Sequence, residues 1–219
     1  NSSPTFTDLD GQRVFIAGTG SGSIICSNLR TGEPVWRVKI STGGVNASVL
    51  PYGDDMFIAI HGKENIDSTS KGRLVCYRVP SKYPLGDRPV ILTEKDEVWR
   101  NDEHVSFSSS PVLHNGRVYS TIATGSLLCV DAETGKTIWS LKLAPDQLHA
   151  SPLYADGKLF VPMADGKAYV VKLHDDHGEI LNEAEMGAVC LAAPSAYAGK
   201  VYVQTKEALH CFGKSDGEF

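Results

Sequence analysis

One segment recurs five times along this chain of 219 residues, and the repeat restricts the fold more than any other feature. Each copy places a glycine between two short apolar runs, as in "SSPVLHNGRVYSTIA" and "ASPLYADGKLFVPMA". The last three of these glycines are 41 and 42 residues apart, and an insertion lengthens the second copy. The glycines are Gly11, Gly53, Gly116, Gly157 and Gly199.

Each copy consists of short strand-like runs separated by turn signals such as Asp-Gly, which favours tight hairpins. Four antiparallel strands in about 42 residues are typical of a propeller blade. The sequence therefore predicts an all-β fold, a β-propeller of about five four-stranded blades in one domain over residues 1–219. We expect this domain to be part of a seven- or eight-bladed ring, with blades approximately at 3–43, 44–105, 106–146, 147–187 and 188–219.

The insertion in the second copy has two halves, "HGKENIDSTSKG" and "VPSKYPLGDRPVILTEKDE". Both are rich in Gly, Pro, Ser and charge, which predicts two long loops. Glu64, Asn65 and Asp67 offer oxygen ligands of the kind that calcium prefers, but the alternating EF-hand spacing is absent. We interpret them as a charged surface loop that is a good candidate for contacts with a partner.

Two longer stretches are also related, "CVDAETGKTIW" at 129–139 and "CSNLRTGEPVW" at 26–36. They cover a third strand, a turn and the start of a fourth strand, where a large ring can pack on the neighbouring blade. The predicted docking residues are Trp36, Trp99, Asp131, Thr134, Gly135 and Trp139.

This Asp-x-x-Thr-Gly-Lys-x-x-Trp pattern resembles the tryptophan-docking repeat of the quinoprotein-like propeller family. That family includes dehydrogenases dependent on pyrroloquinoline quinone (PQQ) and cofactor-free relatives, among them the propeller lipoprotein of outer-membrane protein assembly. The resemblance implies that the tryptophans tie blades together. The fourth copy departs from it, with "HDDHGEIL" at the turn and Leu181 near the tryptophan position.

The resemblance also raises the question of PQQ and calcium. The dehydrogenases use adjacent cysteines over the cofactor, and this chain has no Cys-Cys pair, so we expect neither PQQ nor calcium to be bound. Four cysteines share one register, which Val170 fills in the fourth copy. A position that accepts Cys or Val is small, apolar and buried, so reduced thiols are predicted. They are Cys26, Cys76, Cys129 and Cys211.

Two further groups of polar residues contain side chains that can bind metals or take part in catalysis. His174, Asp175, Asp176 and His177 are metal ligands by type, but they occupy a blade turn, which favours a solvated turn. The residues that lead into the innermost strands are predicted to line the mouth of a central channel. They are Asn46, Ser108, His149 and Leu191, and without an acidic partner they do not form a nucleophilic triad.

The net charge of −5 argues against nucleic acid as a partner, and no apolar run approaches the 18 residues of a membrane span. The favoured function is a non-catalytic scaffold that binds proteins or peptides on loop faces or strand edges. A fragment of a PQQ- and calcium-dependent dehydrogenase and a sensor domain of a larger protein remain alternatives. The resemblance implies an extracytoplasmic location, periplasmic or secreted. We also expect two or three further blades upstream, and exposed blade faces that favour self-association.

Overall fold

The computed structural model describes residues 2–67, 70–80, 88–147 and 149–213. These residues form five sheets, in which the strands of each blade run antiparallel to their neighbours, and one 3-10 helical turn at Glu94–Asp96. Within these ranges, no helix has the length and apolar character needed to cross a membrane. The chain is therefore the predicted all-β propeller of about five blades.

Blade 1 consists of four strands joined by tight turns, with Gly11 at positive φ in the first turn. The strands are β1 (Thr5–Leu9), β2 (Gln12–Gly18), β3 (Ser23–Asn28) and β4 (Pro34–Lys39).

Blade 2 holds the insertion, which lengthens two strands of this blade and contributes one short strand to the sheet of blade 1. The strands are β5 (Leu50–Tyr52), β6 (Met56–Glu64), β7 (Lys71–Arg78), β8 (Val90–Ile91) and β9 (Glu97–Asn101). Strands β5, β6, β7 and β9 form the blade itself. Strand β8 instead lies parallel to β4, at the outer edge of blade 1.

The prediction of two long loops in the insertion was therefore wrong in part. In the first half, β6 and β7 continue the hairpin as far as the pair of Glu64 with Lys71. In the second half, Val90 pairs with Trp36 and Ile91 with Arg37, and the amide of Leu92 donates to the carbonyl of Arg37. The free backbone groups of an outer strand supply the partner that makes this segment extended.

Blades 3 and 4 each have four strands, and three strands of blade 5 are described. Blade 3 comprises β10 (Val112–His114), β11 (Arg117–Thr121), β12 (Ser126–Asp131) and β13 (Thr137–Lys142). Blade 4 comprises β14 (Leu153–Ala155), β15 (Lys158–Pro162), β16 (Lys167–Leu173) and β17 (Gly178–Glu185). Blade 5 comprises β18 (Ser195–Tyr197), β19 (Lys200–Gln204) and β20 (Leu209–Phe212), and the predicted end of its unit lies outside the described residues.

The hydrophobic core lies between the blades. Three large clusters join blades 1 and 2, blades 2 and 3, and blades 3 and 4. The cluster between blades 4 and 5 is smaller, with Met186, Cys190 and Val203 as its buried members. In the first and the last blade, the side chains of Phe6 and Leu209 are exposed.

Tryptophan rings from the outer strands reach across to the following blade. The ring of Trp36 stacks on Phe57 of blade 2, with centroids 4.6 Å apart. The ring of Trp99 covers Gly135 of blade 3, where a Cβ atom would overlap with it. Gly135 also has a φ of +72°, so only glycine suits both the turn and the ring above it.

Trp139 continues this arrangement between blades 3 and 4, because its ring lies against Gly178. Blade 4 has no tryptophan to continue it. The residue that pairs with Val170, as Trp139 pairs with Cys129, is Asn182. Leu181, predicted to lie near this position, is the exposed neighbour of Asn182.

The turn beneath Trp139 is held by the side chains that the repeat predicts. The carboxylate of Asp131 accepts hydrogen bonds from the amide of Thr134 at 2.8 Å and from its hydroxyl at 2.7 Å. The hydroxyl bond to Thr134 is the main cause that lowers the pKa of Asp131. These hydrogen bonds hold the turn just before the fourth strand begins.

The five cysteines are free thiols. The cysteines of blades 1 to 3 are fully buried, as the shared register predicts. The prediction of a buried position was wrong for Cys211 in blade 5, which is exposed. Cys190 is also buried and lies between blades 4 and 5.

Candidate functional site

The segments that enter the innermost strands of all five blades surround one cavity of about 560 Å³. We refer to this cavity below as the channel mouth, after the channel that the sequence predicts at this place. Its lining residues include Ser3, Asn46, Ser48, Ser108, Ser110, His149, Ser151, Leu191 and Ala193.

Serine hydroxyls fasten neighbouring blades around the channel mouth. The amide of Ser48 donates to the hydroxyl of Ser110 at 2.9 Å, and the amide of Ser110 donates to the hydroxyl of Ser151 at 2.8 Å. Each bond joins the backbone of one blade to a side chain of the next. Ala193 holds the corresponding place in blade 5 and has no hydroxyl to accept the next bond.

Asn46, Ser108, His149 and Leu191 all line this cavity. Ser108 and His149 come from blades 3 and 4, and the serine hydroxyl lies 2.7 Å from Nδ1 of the imidazole. The described lining contains no Asp or Glu that could orient the imidazole. A hydroxyl and an imidazole in this setting can hydrogen-bond a polar ligand, but they lack the third member of a catalytic triad.

In the turn of blade 4 that carries two histidines, the rings of His174 and His177 stack with centroids 4.4 Å apart, and each hydrogen-bonds a different carboxylate. His174 Nε2 lies 2.8 Å from the carboxylate of Glu179, and His177 Nδ1 lies 2.8 Å from that of Asp176. Asp175 accepts from Arg117 of blade 3 at 3.0 Å. The bond to Arg117 joins the turn to blade 3, whereas the two histidines hydrogen-bond carboxylates of their own blade.

The three residues of the insertion that offer oxygen ligands for calcium have cationic or polar neighbours in the protein itself. Glu64 forms an ion pair with Lys71 at 3.0 Å, and the side-chain amide of Asn65 donates to the hydroxyl of Ser70 at 2.7 Å. Asp67 lies 2.9 Å from Arg73 and 3.1 Å from Arg100. Among the described residues, no group of three His, Cys, Asp or Glu side chains could hold a metal ion.

The channel mouth is a poor fit for PQQ with calcium. Calcium prefers several oxygen ligands and takes carboxylates readily. The described lining supplies hydroxyls, one amide and one imidazole, but no carboxylate. No cysteine lies in this lining either.

A buried ionic cluster in blade 2 was missed in the sequence. The side chain of Arg73 is 4% exposed and contacts the carboxylates of Asp67 and Asp102. Burial lowers the pKa of Arg73, but the two carboxylates outweigh burial and raise it overall. The cluster fastens β7 to the loop before it and to the segment after β9. A lone arginine in the apolar run "GRLVC" was the signal for it.

His61 is the cross-strand partner of Arg73 and is fully buried. Both nitrogens of its ring lack a hydrogen-bond partner. Burial, and next the positive charge of Arg73, lowers the pKa of His61 to about 4. The imidazole is therefore neutral at ordinary pH.

Four-stranded blades of about 42 residues, tied by tryptophans and ringed around a polar mouth, define a β-propeller built from PQQ-like repeats. The sequence profile of the family described as outer membrane protein assembly factor BamB matches residues 90–219, more than half of the chain. The chain belongs to this family.

Curated relatives carry the same description. The chain is 25% identical over 194 residues to outer membrane protein assembly factor BamB of Burkholderia pseudomallei (strain K96243), covering 88% of this chain and 46% of that protein. It is 22% identical over 170 residues to the Salmonella typhimurium and Escherichia coli (strain K12) proteins, covering 75% of this chain and 37% of each relative. The chain thus spans less than half the length of these relatives.

Two solved structures share the fold. The crystal structure of BamB from Moraxella catarrhalis aligns with 100% of this chain and 58% of its own, with a TM-score of 0.67 and 15% identity. The crystal structure of the computationally designed Ika8 protein aligns with 96% of this chain and 57% of its own, with a TM-score of 0.69 and 13% identity.

Proposed function

We propose that this propeller is a non-catalytic, extracytoplasmic scaffold that binds protein partners during outer membrane protein assembly. The observation that carries the proposal is strand β8, an extended segment held by the outer edge of blade 1. Extended chains that add a strand to a sheet edge gain backbone hydrogen bonds, and their alternate side chains give specificity. The family description supports the process and the location.

The outer strands of blades 3 and 4 offer similar edges. Among the described strands, β13 pairs only with β12, and β17 pairs only with β16. An unpaired strand edge is a template for another chain. The channel mouth adds hydroxyl, amide and imidazole groups that can bind the polar backbone of a partner.

We further propose that the scaffold works without PQQ and calcium. The absence of a Cys-Cys pair from the sequence and the lack of a carboxylate in the described channel mouth support this. The test is an absorption spectrum and an intact mass after incubation with PQQ and calcium. A bound, stoichiometric quinone would overturn the proposal.

The scaffold function is tested with synthetic strand peptides from an outer-membrane β-barrel protein, labelled for fluorescence anisotropy. The control peptides carry proline at every second position, which removes the amides that pair with a sheet edge. We expect saturable binding of the strand peptides and at least a tenfold loss with the proline peptides. Equal binding of both sets, or binding of neither, would contradict a scaffold for extended chains.

A further inference from the structure

Blade 4 presents less side-chain bulk to blade 5 than blade 3 presents to blade 4. The two blades can be compared position by position, because Cys129 pairs with Tyr119 and Trp139 as Val170 pairs with Phe160 and Asn182. On this register, three large residues of blade 3 correspond to small ones in blade 4. Leu127, Trp139 and Leu141 are replaced by Ala168, Asn182 and Ala184.

The missing bulk leaves a pocket between blades 4 and 5. Its cavity volume is about 100 Å³, and its walls include Phe160, Val170, Asn182, Ala184, Val201 and Phe212. An apolar cavity of about 150 Å³ binds benzene in a protein core. The pocket is therefore of the size and character to hold part of one aromatic ring, the group that docks between the earlier blades.

In blade 1, an extended segment on the outer edge places a side chain next to the position that the pocket occupies in blade 4. Val90 of β8 pairs with Trp36 and packs against the core cluster that joins blades 1 and 2. In blade 4, Asn182 holds the place of Trp36. A chain added in the same way to β17 would place one of its side chains beside the pocket.

The side chain of Asn182 now closes this edge. Its Oδ1 accepts the amide hydrogen of Glu183 at 3.0 Å. The corresponding residue of blade 1 is Arg37, whose carbonyl accepts from Leu92 beyond the edge. Backbone groups alternate in direction along a strand, so those of Glu183 point away from β16. Rotation of the Asn182 side chain would free the same edge position that β8 uses in blade 1.

We propose that the outer edge of β17 binds an extended polypeptide whose aromatic side chain lies opposite Asn182 and enters the pocket between blades 4 and 5. This rests on the proposed scaffold function and names the chemistry of its partner. Glu183 and Glu185 lie on the opposite face of β17, beside Lys167. Because Lys167 forms ion pairs with both glutamates, this face keeps one net negative charge among the three groups, and basic residues beside the aromatic one complement it.

The probe is the labelled peptide KVKWKVK, compared with KVKAKVK by fluorescence anisotropy. The alternation places the tryptophan and valines on the pocket face and the lysines on the face of Glu183. We expect the tryptophan peptide to bind at least tenfold more tightly. Glu183→Pro, which removes the outward amide and the carboxylate that faces the lysines without touching the ladder to β16, should abolish the binding of both peptides.

Two substitutions at one position should have opposite effects. Asn182→Trp fills the pocket and should reduce the tryptophan peptide to the affinity of the alanine peptide. Asn182→Ala frees the amide of Glu183 and enlarges the pocket, and it should raise the affinity at least threefold. Ala184→Leu, which fills the pocket from a neighbouring position, replaces Asn182→Trp if that variant does not fold.

The possible failures are distinguishable. Equal affinity of the two peptides, unchanged by either substitution at Asn182, would overturn the pocket while leaving the scaffold function in place. Binding of N-acetyl-tryptophanamide without binding of either peptide would overturn the polypeptide partner. If the outer-membrane strand peptides bind equally well to the Asn182→Trp variant, the scaffold acts at another edge.

Discussion

The indole nitrogen of Trp99 donates a hydrogen bond of 3.0 Å to the carbonyl oxygen of Ala132, and this bond joins blade 2 to blade 3. The same ring covers Gly135 in the turn that follows. A tryptophan on one blade and a glycine on the next are thus two parts of a single contact, and both belong to the repeated motif.

Substitution of Gly135 by alanine should destabilise the protein more than substitution of Gly32. Both glycines have positive φ, +72° and +76°, but nothing lies within 4 Å of a Cβ atom added at Gly32. Gly32→Ala should cost about 1–2 kcal/mol for the left-handed backbone. Gly135→Ala should cost a further 1–3 kcal/mol or so for the overlap with Trp99. Urea unfolding of the two variants measures the difference, and equal losses would show that the ring does not need the glycine.

Truncation of Trp139 should be severe. Its ring is buried between blades 3 and 4, with the ring centre of Tyr119 5.9 Å away. Trp139→Ala should lose about 3–5 kcal/mol of unfolding free energy. Since its indole nitrogen has no hydrogen-bond partner, Trp139→Phe should lose less. Tyr197→Ala is the control, because that ring is 77% exposed and its loss should change stability little. Comparable stability of all three variants would contradict the docking role.

Acid should weaken the fold through His61. Its pKa is about 4 when folded and 6.5 when unfolded, so between these values the unfolded chain binds the additional proton. Stability should therefore fall as the pH falls from 6.5 towards 4, by at most about 1.4 kcal/mol per pH unit from this residue.

His61→Leu should remove that contribution. His104, whose pKa is also lowered mainly by burial, stays in both proteins, so the difference between them isolates His61. The measurement is the unfolding midpoint in urea at pH 7, 6 and 5. Parallel pH profiles of the two proteins would exclude His61 as the source.

The thiols should separate into one fast and four slow groups. Burial raises the pKa of Cys26 and of Cys76 to about 12, and Cys129 and Cys190 are shifted in the same direction. Cys211 is exposed. A thiol reagent without reductant should therefore label one group quickly in the folded protein and five after unfolding. Fewer than four free groups after unfolding would reveal disulfides.

The repeat alone was sufficient to predict the fold. The turn glycines Gly11, Gly53, Gly116, Gly157 and Gly199 all have positive φ in the structure, and each lies between the first two strands of a blade. Such turns depend on local backbone conformation, which a short stretch of sequence specifies.

Features that depend on distant partners were not visible in the sequence. The two residues of β8 are a strand only because the edge of β4 is beside them. The place of Asn182 depends on a bulge between Val170 and Val171, which shifts the count along β17. Arg73 and His61 are cross-strand partners in the β6–β7 hairpin. The charged residues of the insertion predicted a loop there, so the length of this hairpin was not predicted. The residues of the channel mouth could be chosen from the sequence, because equivalent positions of the repeat occupy equivalent places in each blade.

The amide-to-hydroxyl bonds from Ser48 to Ser110 and from Ser110 to Ser151 should also influence which blade opens first. Local unfolding starts where the fewest bonds must break. This series of hydrogen bonds stops at Ala193, which has no hydroxyl and lies beside the blade interface that lacks a tryptophan. Amide hydrogens of β18 and β19 should therefore exchange with solvent at a lower free energy than those of β11 and β12, and blade 5 can leave its neighbour while blades 1 to 4 stay closed.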